Sequence, residues 1–122
     1  MSLKQKLKQN SLSIGSWITL AHPAIAEIMS RAGFNWLAVD LEHSVITIRE
    51  AEELIRIIGL SKTTPLVRLT ENNPSLIKRV LDAGAKGIIV PSINSREEAM
   101  AAIAAMRYPP HGHRGVGLAR AQ

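Results

Sequence analysis

The stretch Gly33-Phe34-Asn35-Trp36-Leu37-Ala38-Val39-Asp40-Leu41-Glu42-His43 contains a complete structural unit in its order of residue types. Its first glycine reads as a helix stop, because a residue without Cβ easily takes the left-handed turn that closes a helix. The apolar run Trp36 to Val39 is too short for a helix and reads as a buried strand. Asp40, Glu42 and His43 then follow at its C-terminal end. In parallel α/β folds, reactive side chains gather at that end.

The same pattern extends in both directions. Ile14 to Leu20, Leu66 to Leu69 and Gly87 to Val90 read as further buried strands. Between the strands, apolar residues recur at helical spacing: Ile25, Ile28, Met29 and Ala32; Ile48, Ala51, Ile55 and Ile58; Ile77, Val80 and Leu81; Ala99, Ile103 and Met106. Pro23 and Pro74 suit the first helical position, and Thr47 with Glu50 and Ser95 with Glu98 have capping-box spacing. Gly33, Gly59 and Gly84 stand where C-caps are needed, and Leu3 to Gln9 reads as a short polar helix over one end of the sheet.

The order βαβαβαβα predicts parallel strands with right-handed crossovers. A closed (β/α) barrel takes about 250 residues, and the first βα turn, Thr19-Leu20-Ala21-His22-Pro23, lacks the glycine-rich phosphate loop of an open dinucleotide-binding sheet. The expected fold is therefore α/β, with parallel (β/α) units of TIM-barrel type forming about half a barrel: four strands and four helices. The remaining strands are expected outside this sequence or from another chain.

Composition bounds the function. With 122 residues, 46% hydrophobic and 20% charged, the chain has apolar material for one core, expected as a single domain over residues 1–122. The absence of cysteine excludes disulfides, thiolate catalysis and Cys-based zinc sites. No stretch approaches the ~20 apolar residues of a membrane span, and the N-terminus lacks a signal-peptide core, so a cytoplasmic protein without a membrane partner is expected. The net charge of +5 comes from the ends: Lys4, Lys6 and Lys8, and Arg107, Arg114 and Arg120. Residues 11–106 hold nine basic and ten acidic side chains, and the chain has only four aromatic residues, so no nucleic-acid partner is expected.

Strand ends place His22, then Asp40, Glu42 and His43, then Arg68, and finally Pro91-Ser92 on one rim. An imidazole moves protons near neutral pH, a carboxylate fixes its tautomer, and a guanidinium binds a carboxylate or enolate oxygen. Each also has a structural use: Asp40 as a loop cap, Glu42 as a solvated acid, His43 as a loop residue. Arg68 is harder to explain that way, because it stands in an apolar run and requires an anionic partner. Lys62 and Lys86 precede strands, at the opposite end, and Lys78 lies in a helix, so none is placed for Schiff-base chemistry.

Gly15-Ser16-Trp17, the stretch Gly33 to His43, Pro65-Leu66-Val67-Arg68, Leu81-Asp82-Ala83-Gly84-Ala85, Gly87-Ile88-Ile89-Val90-Pro91, and Arg107-Tyr108-Pro109-Pro110 with Arg114-Gly115 resemble the HpcH/HpaI aldolase family. The resemblance runs almost end to end and covers about the N-terminal half of the family's barrel. It implies a metal-dependent class II lyase that cleaves a 4-hydroxy-2-oxo acid, of the 2,4-dihydroxyhept-2-ene-1,7-dioate or 2-dehydro-3-deoxyglucarate class, to pyruvate and an aldehyde. It further implies His43 as base, Arg68 as the enolate-stabilising and substrate-binding residue, Asp40 or Asp82 as the acid polarising the histidine, and Trp17 at the substrate. Mg2+ or Mn2+ is implied as cofactor, with its ligands on later strands beyond residue 122, and a homo-oligomer as the assembly. A non-catalytic half-barrel assembly module is the alternative.

Overall fold

In the computed structural model, which describes residues 1–117, the elements run α1 (Leu3–Lys8), β1 (Gly15–Ile18), α2 (Pro23–Arg31), β2 (Trp36–Asp40), α3 (Ile48–Gly59), β3 (Thr64–Arg68), α4 (Pro74–Asp82), β4 (Gly87–Ile89) and α5 (Arg96–Met106). Arg120, counted above with the basic C-terminal end, lies outside the described residues. The four strands pair in parallel in sequence order, β1-β2-β3-β4. Consecutive parallel neighbours joined by helices are the (β/α) repeat of a barrel, not the reversed order of a doubly wound sheet.

Local signals act largely as read. Pro23 and Pro74 open α2 and α4, and the Thr47–Glu50 capping box is complete. Gly33 and Gly84 take φ of +91° and +107° just past α2 and α4. Gly59 differs: it is the last residue of α3, and Leu60 caps the helix. Ser95 caps α5, but Glu98 turns its carboxylate to the backbone N–H of Asn94, so only half of the second box forms.

The sheet has two unlike faces. In β3, Pro65 and Val67 are buried while Thr64, Leu66 and Arg68 are half-buried, the period-2 alternation of a sheet with one sealed face. Ile18, Leu37, Val39, Val67 and Leu69 pack with Leu54, Ile55 and Ile58 of α3 and Ile77, Val80 and Leu81 of α4 in the buried core. On the other face Trp17 is 41% exposed. There α1 and the strands β3 and β4 line an apolar cleft of about 940 Å³ that includes Leu3, Leu7, Leu66 and Ile89. Among the described residues no helix is long and apolar enough to cross a membrane.

Gly15 allows close approach on the open face. A Cβ there would lie 2.0 Å from the ring of Trp36, which meets Trp17 edge-on at a centroid separation of 6.2 Å. Gly15→Val is expected to cost ~1–3 kcal/mol by overpacking and to displace both indoles, readable as a lower denaturation midpoint with altered near-ultraviolet dichroism.

Candidate active site

β2 and β3 are in register with Asp40 opposite Arg68, so the sheet itself sets the central pair. Arg68 Nε and one Nη donate to the two Asp40 carboxylate oxygens at 2.9 and 2.7 Å, a side-on fork. Trp17, from β1, places its ring 4.4 Å from the guanidinium carbon. Three neighbouring strands therefore contribute one side chain each, all at or near their C-terminal ends.

The loop after β2 folds over this pair. The backbone N–H groups of Glu42 and His43 donate to Asp40 Oδ1 at 3.0 and 3.3 Å, and Ser44 Oγ donates to the Asp40 carbonyl. Glu42 lies between cation and imidazole: one carboxylate oxygen is 3.6 Å from Arg68 Nε, the other 3.3 Å from His43 Nε2. At the end of β4, Ser92 adopts a left-handed φ of +56°. The rim thus carries a buried acid, a guanidinium with remaining donors, a bridging carboxylate and an imidazole that is 70% exposed.

Asp40 is lowered from 3.8 to about 2, first by its hydrogen bond from Arg68, against the opposing effect of burial, and then by the amides of His43 and Glu42. The same pairing raises Arg68. A carboxylate with a depressed pKa stabilises the fold above its unfolded value and loses that contribution as pH falls through the folded one. Asp40 is therefore expected to contribute about 2 kcal/mol above pH 4, disappearing toward pH 2. Acid unfolding of Asp40→Asn beside the unsubstituted protein measures it, and an unchanged pH dependence contradicts it.

The expected site residues divide. Trp17, Asp40, His43 and Arg68 converge with Glu42, whose role the sequence left open. Asp82 does not join them. It ends α4, which runs back toward the opposite end of the sheet, and its Oδ1 accepts from Arg114 at 2.6 Å while that guanidinium covers the ring of Tyr108 at 4.7 Å. Asp82 therefore anchors the loop after α5 within this chain. His22 is also taken up locally: its Nδ1 accepts from the Ala24 N–H and caps α2. The bridging position of Glu42 had no sequence signal beyond its place between Asp40 and His43.

The resemblance implies a divalent ion, yet the residues here do not fit as its holder. Asp40 is occupied by four donors, Glu42 faces two cationic or imidazole groups, and among the described residues no three His, Asp or Glu side chains form a group able to hold a metal.

Parallel (β/α) units with a carboxylate, guanidinium and imidazole on one strand-end rim define half of a barrel of the kind that carries enzyme sites. The family description that matches residues 13–121 reads HpcH/HpaI aldolase/citrate lyase, and the chain belongs to that family. It is 43% identical over 113 residues to a pyruvate aldolase of Rhizobium etli, covering 93% of this chain and 44% of the relative. It is 40% identical over 109 residues to a 2-dehydro-3,6-dideoxy-6-sulfogluconate aldolase of Pseudomonas putida, covering 89% and 43%. A crystal structure of a family protein from Burkholderia cenocepacia superposes with a TM-score of 0.89 at 32% identity, covering 98% of this chain and 51% of that one. The chain spans about half the length of the relatives it matches.

Proposed function

We propose that this chain supplies the base-and-guanidinium half of a pyruvate-type aldolase site. The observation that carries the reading is the convergence of Arg68, held in a fork by Asp40, and His43, reached through Glu42, on a single rim. For a 4-hydroxy-2-oxo acid, His43 accepts the C4 hydroxyl proton through a water. The C3–C4 bond breaks, C4 leaves as the aldehyde, and the bonding electrons pass into the enolate of pyruvate. The free Arg68 donors, left over after the Asp40 fork, stabilise the enolate oxygen, where charge develops. Trp17, against the guanidinium, forms an apolar wall of the pocket. The names of the relatives support the reaction class and the pyruvate product.

Joining this chain to the C-terminal half of the Rhizobium etli pyruvate aldolase tests the reading. The hybrid barrel is expected to release pyruvate from a 4-hydroxy-2-oxo acid in a divalent-ion-dependent manner. A hybrid that folds and binds the ion yet releases none overturns it. The half-covered sheet face, with Trp17 exposed and an apolar cleft between α1 and the strands β3 and β4, favours the second reading of an assembly module. That reading requires an inactive hybrid and a purified chain that forms a stable oligomer.

A further inference from the structure

We infer that the open sheet face receives a second copy of this chain, β4 of each copy lying against β1 of the other, so that two half barrels close one barrel of eight parallel strands. The inference rests on the assembly-module reading for that face being an interface, and goes beyond it by naming the occupant. Surface area comes first. The chain exposes 7672 Å², whereas a compact monomer of 13.3 kDa exposes about 6,450 Å². The excess, about 1,200 Å² per copy, is more than the ~800 Å² that each partner gives to a standard stable interface. Burying it calls for a polypeptide, not for a small ligand.

The edges and the face specify which polypeptide. β1 and β4 stand at the two ends of the strand order, so among the described residues no strand pairs with their outer edges. A half-turn about the barrel axis preserves strand direction and sets the β4 edge of each copy against the β1 edge of the other. The ring then has no edge left. Interior packing agrees. A closed (β/α) barrel is filled by layers of four side chains drawn from alternate strands. Trp17 of β1 and Arg68 of β3 meet at 4.4 Å across β2, where Trp17 has only the small Ala38 opposite it. They are two of such a four, and Trp17 is left 41% exposed. The second copy supplies the other two as its own Trp17 and Arg68, each guanidinium arriving already paired with its Asp40. Two residues earlier on β3, Leu66 leans over Gly87, where a Cβ would lie 2.9 Å from Leu66 Cδ2, and with Ile89 it lines the apolar cleft beside β4.

Light scattering on the purified 122-residue chain across a range of concentrations measures the assembly, and filtered NOEs on an equal mixture of isotope-labelled and unlabelled chain locate the contact. The expected result is one species of twice 13.3 kDa with nothing larger, because the ring closes at two, and NOEs between copies that join Gly15–Ile18 to Gly87–Ile89. A monomer at every concentration overturns the inference and the assembly-module reading together. A dimer whose NOEs join β1 to β1 or helix to helix, or a series of ever larger oligomers, overturns the inference alone, since the face is then covered in another way. Pyruvate release by the hybrid barrel judges the aldolase reading separately, because there the C-terminal half occupies both edges.

Discussion

Replacing His43 or Arg68 by alanine in the hybrid barrel is expected to lower kcat/KM for pyruvate release by ~10²- to 10⁴-fold each, the scale of a lost general base or a lost oxyanion donor. Steady-state rates at saturating divalent ion measure it. The two losses differ in kind. His43 acts on the proton in flight, so its loss falls mainly on kcat, whereas Arg68 also meets the bound anion, so its loss raises KM as well. Arg68→Lys should recover little, because Asp40 engages Nε and Nη2 together and a single ammonium cannot reproduce that fork while facing substrate. Rates equal to the unsubstituted hybrid in either alanine variant remove the mechanism.

The fold was legible because its signals are local. Prolines at N1, the Thr47 box and the glycines after α2 and α4 satisfy backbone groups within a few residues, and apolar period did the rest. The structure departs from the sequence pattern where local rules compete. Gly59 is compatible with helical φ and stays in α3, and Pro65 stands inside β3 although proline argues against a central strand. The strand starting at Gly15 ends at Ile18, since Leu20 is already in the turn whose carbonyl accepts the His22 N–H. Within the site, parallel register made the neighbouring strand ends readable as a rim. Pairings made by loop closure were not: Asp82 meets Arg114, 32 positions on, through a segment whose path the sequence does not encode in any period. Glu42 likewise acquires its partners only once the loop turns on Asp40.

Asp40→Ala should be the most damaging single change to the fold among the site residues, by ~3–5 kcal/mol at neutral pH, which is a large share of the ~5–15 kcal/mol that holds a domain together. Asp40 is buried, and its removal orphans two amides and two guanidinium donors at once. Asp40→Asn separates the contributions, because an amide oxygen can still accept from Glu42 and His43 while the charge opposite Arg68 is gone. Its cost should therefore lie below that of alanine, and the gap to the unsubstituted protein should narrow in both variants as acid protonates Asp40 toward pH 2. Denaturant midpoints across pH read both effects. A loss under about 1 kcal/mol in Asp40→Ala would equal that of an exposed ion pair. In that case Arg68 would not be preorganised by β2, Glu42 would lose its anchor, and the site would have to be assembled by the substrate, not by the sheet.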